Sequence, residues 1–293
     1  MRLIMSQSCG EMVTERVAPL ECVRMVRTEM LVLGERRFQW IESGEPSSDR
    51  VIVWLHAFPV SSAMWTDQLE AVPPGWRMIA PDLAGFGGTN DHTGRPSIED
   101  LAHDLAVLLD AMHLERVVLG GLSMGGYAAF AGDRVMPERI RGLILADTKS
   151  TGDTAVAREG REAMLQVVDE RGSSGVADEM LPKLLGATTR RARPSIEARV
   201  RALIEANSPE GLRRAIIRLR DRPDSSSQLP RIRVPILAIV GEEDAVTPID
   251  DARAIVARAP DARLAILPEA GHLSNLENPS SFNAALRPWL AGL

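Results

Sequence analysis

The sequence predicts an α/β fold in which strands and helices alternate along the chain, and three observations support this prediction. Apolar, β-branched runs of strand length recur at 51–55, 117–119 and 236–240. Amphipathic segments of helix length separate them, and turn sequences such as Pro-Pro-Gly at 73–75 mark the boundaries. Strands joined by helices of this length form a mostly parallel sheet with helices on both faces.

The first half of the chain predicts a hairpin followed by alternating elements. Residues 30–33 and 37–42 flank the turn residues 34–36 and have the length of hairpin strands. The run at 51–55 is apolar at every position, as a strand covered on both faces requires. The other elements expected here are a helix over 62–71, a strand over 77–80 and a helix that Ser97 caps and that reaches Met112.

The second half continues this alternation with one long interruption. Strands are expected at 116–120, 142–146, 236–240 and 263–267, with helices directly after residue 123, near 250–258 and from residue 279. Residues 148–233 are helical in character and too long for a loop, so we expect a helical cap over the carboxyl ends of the strands. The predicted division is an N-terminal extension over 1–28, a core over 29–147 and 234–293, and this cap.

The cap segment is basic, with 17 Lys and Arg against 12 Asp and Glu. It could be a lid that selects anionic substrates. Alternatively, its long arginine side chains cover helix surfaces and point to solvent. Arginine is frequent throughout this chain, which favours the second interpretation.

Composition narrows the classes of protein to consider. The chain has 293 residues, of which 45% are hydrophobic and 25% charged, as in an ordinary globular enzyme. A net charge of -6 argues against nucleic acid as a partner. No apolar run is long enough to cross a bilayer and no signal-peptide pattern is present, so a cytoplasmic location without membrane partners is expected. Cys9 and Cys22 provide neither a disulfide framework nor a metal site.

The most informative segment has the form G-x-S-x-G, at Gly121, Ser123 and Gly125. An apolar predicted strand precedes it and a helical sequence follows it. A serine at a sharp strand-to-helix turn needs glycine two residues before and after, because side chains there would collide with neighbouring backbone. Its hydroxyl then lies exposed beside the positive end of a helix, where a nucleophile is expected.

A serine nucleophile needs a base, and His272 is the histidine best placed to supply it. His103 and His113 lie in or beside an amphipathic helix and His92 lies in a polar loop, so these three are expected to be structural or solvated. His272 follows the strand at 263–267, at the sheet edge where Ser123 is predicted.

The base needs an orienting acid, for which Asp244 is the first choice. Asp244 follows the strand at 236–240, and its spacing to Gly241 and Pro248 favours it over Asp147, which ends the strand before the cap, and over the adjacent Glu243. The chain order Ser, Asp, His is the order expected of this arrangement.

The oxyanion of a tetrahedral intermediate needs two N–H donors. One is the backbone N–H of Met124, at the start of the helix after the serine. The second is expected from the loop after the strand at 51–55, at the backbone N–H of Phe58, since Pro59 has none. His56 is expected to hold this loop by hydrogen bonding and to take no part in proton transfer.

Together these motifs resemble the α/β-hydrolase family over nearly all of the chain from about residue 30. The segments that carry the resemblance are His56-Ala57-Phe58-Pro59, Pro81 to Gly87, Gly121 to Gly126, Gly241 to Pro248, and Gly271-His272 with Glu277-Asn278-Pro279. The resemblance implies an eight-stranded, mostly parallel sheet with a helical cap and no cofactor or metal. One departure is that Ala57 stands where the family has glycine, which places the geometry of the oxyanion loop in question.

Within the family, serine at position 123 argues against haloalkane dehalogenases and epoxide hydrolases, which are built around aspartate. The segment Gly121 to Gly126 is similar to 3-oxoadipate enol-lactonases and simple carboxylesterases, whereas Leu122 weighs against carbon–carbon bond hydrolases, which more often have asparagine there. We therefore predict a serine hydrolase acting on a small-molecule ester or lactone. His56 and Trp65 are further residues considered for the pocket, although core packing is the commoner role.

Two alternatives stay open at this point. Perhydrolases and other acyl-transferring enzymes have the same three catalytic residues and no cofactor. A hydrolase fold can also act as a ligand-binding receptor. The sequence leaves the acyl group, the leaving group and the oligomeric state undetermined.

Overall fold

The computed structural model describes residues 25–91 and 94–293. Its sheet contains β1 (Arg27–Leu33), β2 (Arg36–Gly44), β3 (Val51–Leu55), β4 (Arg77–Pro81), β5 (Val117–Leu122), β6 (Ile140–Ala146), β7 (Ile236–Gly241) and β8 (Ala262–Leu267). Each strand expected from the sequence is present, with ends that differ by a few residues. β1 begins at Arg27, inside the predicted extension, whereas Cys9, Cys22 and His92 lie outside the described residues.

The eight strands are ordered β1-β2-β4-β3-β5-β6-β7-β8. β2 is antiparallel to both of its neighbours, and the strands from β4 to β8 pair in parallel. The sheet is therefore mostly parallel, as predicted. Because the carboxyl ends of parallel strands meet at one edge, the loops after β3, β5, β6, β7 and β8 gather there.

Ten α-helices accompany the sheet in the described part of the chain. They are α1 (Thr66–Glu70), α2 (Ile98–Ala111), α3 (Met124–Val135), α4 (Ala155–Leu184), α5 (Ala187–Ala192), α6 (Pro194–Glu205), α7 (Pro209–Asp221), α8 (Ile249–Arg258), α9 (Ser274–Glu277) and α10 (Pro279–Leu290). The helix expected over 62–71 is a 3₁₀ turn at Ser62–Trp65 that continues into α1. None of these helices has the length and hydropathy needed to cross a membrane.

Helix α2 begins where the sequence predicts, at the Ser97 cap. The Ser97 hydroxyl accepts a hydrogen bond from the Asp100 N–H at 3.2 Å, and the Asp100 carboxylate accepts one from the Ser97 N–H at 2.9 Å. This reciprocal pair satisfies two of the N–H groups that a helix start leaves without partners.

Both faces of the sheet are covered, and β7 shows why its sequence is apolar at every position. Ile239 points into the main core, whereas Ala238 and Val240 pack with Ala252 of α8 in a separate apolar cluster. Since successive side chains of a strand point to opposite faces, a strand with helices on both sides has no position for a polar residue.

The segment between β6 and β7 is helical and contains α4 to α7. Gly172 interrupts α4 with a φ of 60°, so that α4 consists of two helices joined at a kink. This segment packs closely on the core at α7. There Gly211 contacts the backbone of Gly85, and a side chain at position 211 would collide with it. The buried Arg218 of α7 also pairs with Asp91 of the core.

Candidate active site

Ser123 lies at a strained turn between β5 and α3. Its φ of 55° and ψ of -110° are rarely adopted by a residue with a side chain. A Cβ at Gly121 would collide with the carbonyl oxygen of Gly125, and one at Gly125 would collide with that of Leu55 at the end of β3. The two glycines of the G-x-S-x-G motif are thus required by contacts with backbone, as the sequence predicted.

Three side chains from separate loops meet at this turn in a chain of hydrogen bonds. The Ser123 Oγ lies 2.8 Å from Nε2 of His272, and the Nδ1 of His272 lies 2.9 Å from Oδ2 of Asp244. Because a carboxylate only accepts, Nδ1 carries the proton and Nε2 is the free acceptor facing the serine hydroxyl. This arrangement allows His272 to remove the proton of Ser123.

The Asp244 carboxylate is held by the loop that carries it. Its Oδ1 accepts hydrogen bonds from the backbone N–H groups of Val246 at 2.8 Å and Thr247 at 3.0 Å, and its Oδ2 accepts one from the Thr247 hydroxyl at 2.7 Å. Burial by itself raises the pKa of this carboxyl. The positive charge that His272 carries when protonated and the hydrogen bonds with His272 and Thr247 outweigh this effect, so the pKa is lowered. Asp244 is therefore ionised beside His272.

The other two acids considered from the sequence have different partners. The Glu243 carboxylate accepts hydrogen bonds from the N–H and the hydroxyl of Thr188, at the start of α5. Asp147 accepts a hydrogen bond from the N–H of Gly241 and pairs with the Ser274 hydroxyl. Among the three carboxylates, the hydrogen bond to His272 belongs to Asp244.

The helical segment 148–233 contacts the His272 loop directly. The backbone N–H of His272 donates to the carbonyl of Leu184 at 3.0 Å, and the N–H of Gly186 donates to the Glu277 carboxylate at 2.8 Å. Burial raises the pKa of Glu277. Sequence reasoning did not assign a role to Glu277, although it belongs to one of the motifs that carry the family resemblance.

The loop after β3 lies against the serine turn, since Leu55 touches Gly125. Ala57 does not need the freedom of glycine here, because its φ is outside the left-handed region. Its N–H donates to Sδ of Met64 at 3.3 Å, and the N–H of Val60 closes a turn on its carbonyl at 3.1 Å. Alanine at position 57, where the family has glycine, is thus compatible with the backbone conformation of this loop.

Phe58 belongs to this turn, and Met124 is the first residue of α3. The first intrahelical bond of α3 runs from the Tyr127 N–H to the Ser123 carbonyl, so the N–H of Met124 precedes the helical ladder. Asn207, two residues after α6, donates to the Pro59 carbonyl at 2.9 Å and so holds the turn. Asn207 was not identified from the sequence, where no motif marks it.

His56 fastens the same loop to the loop after β4. Its Nε2 accepts a hydrogen bond from the Leu83 N–H at 3.0 Å, so the proton lies on Nδ1, which donates to the Ala57 carbonyl at 2.9 Å. Burial lowers the pKa of His56 and keeps it neutral. Both nitrogens are engaged within the protein, which leaves His56 the structural role expected of it and no position in the pocket.

Trp65 lies in the core. It is fully buried and stacks on Trp54 with ring centroids 4.4 Å apart, and it also contacts Phe282. These contacts are those of a packing residue, so we assign Trp65 no part in the site. Of the other described histidines, His103 is exposed on α2 and His113 is exposed just beyond its end.

The arginines of the helical segment are mostly engaged in ion pairs. Those with a carboxylate partner are Arg161, Arg171, Arg193, Arg199, Arg201, Arg213, Arg214, Arg218, Arg220 and Arg222. This pairing favours the interpretation that they cover helix surfaces over that of a lid for anions. Within residues 25–91 and 94–293, no group of three or more His, Cys, Asp or Glu has the arrangement of a metal site.

Comparisons with known proteins find relatives that are named as hydrolases. A 3-oxoadipate enol-lactonase of Acinetobacter baylyi is 27% identical over 235 residues, which are 80% of this chain and 86% of the lactonase. A 2-hydroxy-6-oxo-6-phenylhexa-2,4-dienoate hydrolase of Burkholderia cepacia is 26% identical over 264 residues, covering 86% of this chain and 91% of that enzyme.

Among solved structures, a thermophilic esterase from Thermogutta terrifontis superposes with a TM-score of 0.84 at 35% identity, over 92% of this chain and 98% of the esterase. The model of the alpha/beta hydrolase family matches residues 52–285, which include Ser123, Asp244 and His272. With its mostly parallel eight-stranded sheet and its serine at the turn after β5, the chain belongs to the alpha/beta hydrolase family.

Proposed function

We propose that this protein is a serine hydrolase that cleaves a carboxylic ester or lactone through an acyl-enzyme intermediate. The observation that carries the proposal is the hydrogen-bonded chain from Ser123 through His272 to Asp244. The similarity to an enol-lactonase and to an esterase supports an oxygen ester as the bond that is cleaved.

The reaction begins at the hydroxyl of Ser123, which is a weak nucleophile by itself. Nε2 of His272 takes the hydroxyl proton as Oγ attacks the substrate carbonyl, and Asp244 stabilises the imidazolium that results. The same His272 then donates this proton to the departing alkoxide. Because the imidazole must be neutral to accept the first proton, activity is expected to fall when His272 is protonated.

The tetrahedral intermediate carries its negative charge on the former carbonyl oxygen. We assign the backbone N–H groups of Phe58 and Met124 as its donors, each worth about 3 kcal/mol in a site of this kind. Met124 adds the positive end of α3. In the second half of the reaction His272 activates a water molecule, which attacks the acyl-enzyme and releases the carboxylic acid.

The test is the hydrolysis of p-nitrophenyl esters of short acyl chains by the wild type and by Ser123→Ala, followed by the release of p-nitrophenol. The wild type is expected to turn over these esters, and Ser123→Ala is expected to lose kcat by about 10⁶-fold, because the nucleophile is removed.

Ser62→Ala is a suitable control, since it also removes a buried serine hydroxyl, one that lies outside the proposed machinery. Hydrolysis by Ser123→Ala at the wild-type rate would disprove the assignment of the nucleophile. A wild type that is inactive on a broad panel of esters and lactones would disprove the proposed function.

A further inference from the structure

Asp147 is a fully buried acid that the proposed reaction does not use. It directly follows β6, the strand between β5, which leads to Ser123, and β7, which leads to Asp244. Its φ of 42° is unusual for a residue with a side chain. Buried charged groups and strained backbone both cost free energy, so a role at this position is worth seeking.

The carboxyl group of Asp147 joins two loops of the site. Its Oδ1 accepts a hydrogen bond from the N–H of Gly241 at 2.8 Å, and Gly241 in turn accepts one from the N–H of Asp244 at 3.2 Å. Its Oδ2 pairs with the hydroxyl of Ser274, two residues after His272. One side chain therefore reaches both the loop of the acid and the loop of the base.

The residues on either side of Asp147 contact the third loop. The N–H of Ser123 donates to the carbonyl of Ala146 at 3.0 Å, and the Thr148 hydroxyl donates to the carbonyl of Ser123 at 2.9 Å. The segment 146–148 is thus in hydrogen-bond contact with the loops of Ser123, Asp244 and His272.

We propose that Asp147 is a positioning residue, whose carboxyl group holds the Asp244 loop and the His272 loop at the spacing that lets these side chains meet. The inference rests on the proposed function, because its consequence is the reactivity of Ser123.

The protonation state of Asp147 follows from its surroundings. Burial is the largest effect and raises the pKa of this carboxyl well above its usual range, and the nearby negative charge of Asp244 raises it further, with a smaller contribution from Glu277. The hydrogen bonds from Ser274 and Gly241 oppose the increase without cancelling it. The raised pKa favours the neutral form of Asp147 next to Asp244.

Asparagine reproduces the hydrogen-bonding groups of a neutral aspartic acid. Its amide oxygen can accept from Gly241. Its NH₂ group can donate to the Ser274 oxygen, which reverses the direction of the hydrogen bond that the Ser274 hydroxyl donates to Oδ2 of Asp147. An ionised carboxylate, by contrast, can only accept. The comparison of Asp147→Asn with Asp147→Ala therefore separates the positioning role of the neutral acid from a role that needs its charge.

The experiment measures the second-order rate constant for labelling of Ser123 by a fluorophosphonate probe, in which Oγ bonds to phosphorus and fluoride leaves. This readout needs no knowledge of the natural substrate. Asp147→Ala is expected to lower the rate constant by about 10- to 100-fold through misplacement of His272 and Asp244. Asp147→Asn is expected to restore most of that loss, and Ser274→Ala to show a smaller loss than Asp147→Ala.

Asp133→Ala is the matched control. Asp133 is a half-buried aspartate on α3 whose pKa burial also raises, and its carboxylate accepts from Gln228, away from the three loops. Its labelling rate is expected to equal that of the wild type. All rates are measured below the unfolding temperature of each variant, so that loss of folded protein does not affect the labelling rate.

Thermal unfolding of the wild type and Asp147→Asn as a function of pH provides a second readout. An acid whose pKa is raised by folding stabilises the folded state at low pH. This contribution is lost as the pH rises from the pKa of the acid in the unfolded state, about 4, through its pKa in the folded state. Asparagine has no such loss. The Tm of Asp147→Asn relative to the wild type is therefore expected to increase as the pH rises.

Equal labelling rates for the wild type and Asp147→Ala would overturn the positioning role. Two results together would also overturn it: a Tm difference between the wild type and Asp147→Asn that does not change with pH, and a labelling rate for Asp147→Asn as low as that of Asp147→Ala. A wild type that neither reacts with the probe nor hydrolyses esters would instead overturn the proposed function.

Discussion

The residues of the site differ in whether contacts close in sequence or contacts from distant parts of the chain hold them in position. Asp244 is held by backbone N–H groups two and three residues further on, at Val246 and Thr247, so its loop alone orients the carboxylate. His272 itself is held by residues further away in the sequence. Its ring is oriented by Asp244, and its backbone N–H is bound by Leu184, so its position depends on two distant parts of the chain.

Asp244→Asn tests the orientation of His272 by its acid. The amide can keep the bonds from Val246 and Thr247 on its oxygen, but its NH₂ group then faces Nδ1 of His272. The imidazole must place its proton on Nε2 to avoid two opposed donors, and it can no longer accept from Ser123. We expect kcat for p-nitrophenyl esters to fall by about 10⁴-fold.

Glu243→Gln is the control for this variant, because Glu243 is the adjacent carboxylate and bonds to Thr188 instead of His272. Its kcat is expected to stay within roughly threefold of the wild type, since the hydrogen bond between Asp244 and His272 is left intact. Equal losses in the two variants would show that the orienting acid has been assigned incorrectly.

At the scale of elements, the site depends on the close approach of α3 to β3. Gly125, in the first turn of α3, packs against the Leu55 carbonyl, and Gly126 packs against the side chain of Thr148. A helix with a side chain at either position would have to move away from the sheet. Because Ser123 directly precedes α3, such a movement would also displace the proposed nucleophile.

Gly125→Ala is therefore expected to lower both stability and activity. Overpacking of this kind costs about 1–3 kcal/mol, and kcat is expected to fall further than the stability loss alone explains, because Ser123 moves relative to His272. The measurements are Tm by differential scanning calorimetry and kcat for p-nitrophenyl esters.

Gly160→Ala provides the contrast within α4, where a Cβ meets no atom within 4 Å. Removing a helical glycine at such a site is expected to stabilise the protein by about 0.5–1 kcal/mol with no change in kcat. If Gly125→Ala behaved like Gly160→Ala, the backbone contact with Leu55 would not constrain the turn.

At the scale of the whole molecule, the two ends of segment 148–233 are joined by a buried ion pair. Arg222 and Asp153 are each 2% exposed at the side chain, and their closest N and O atoms lie 2.6 Å apart. Arg222 also donates to the Thr151 carbonyl and lies over the ring of Tyr127 at 4.1 Å. The ends of the segment are thus held to each other and to α3.

Arg222→Met is expected to destabilise the protein by about 3–5 kcal/mol, because it leaves Asp153 buried with fewer cationic partners. The decrease is measured as a loss of Tm. The double variant Asp153→Leu/Arg222→Met removes both charges and is expected to recover part of the loss, since apolar pairs can replace buried ion pairs.

The control is Arg253→Met, which removes an exposed arginine paired with Asp250. Exposed pairs contribute about 0–1 kcal/mol, so this variant is expected to change Tm little. A similar Tm for Arg222→Met and Arg253→Met would mean that the buried pair does not fasten the segment.

The sequence by itself determined the features that rest on local rules. The glycines around Ser123 recur in a motif because the sharp strand-to-helix turn has no room for side chains at these positions, and β7 is apolar at every position because both of its faces are buried. Each of these features can be recognised in a few consecutive residues. The predicted sheet and family were confirmed for this reason. Serine, acid and histidine each follow a parallel strand, and such strands end at one edge of the sheet, so their proximity could be predicted.

The tertiary structure decided which of several nearby groups actually meet. Asp147, Glu243 and Asp244 all lie at the same edge, and only the packing of the loops shows that the hydrogen bond to His272 belongs to Asp244. Asn207 donates a hydrogen bond to Pro59, which lies 148 residues earlier in the chain. No local sequence pattern predicts this contact. Such contacts depend on how helices and loops pack in three dimensions, which the hydrophobic periodicity of a single sequence does not specify.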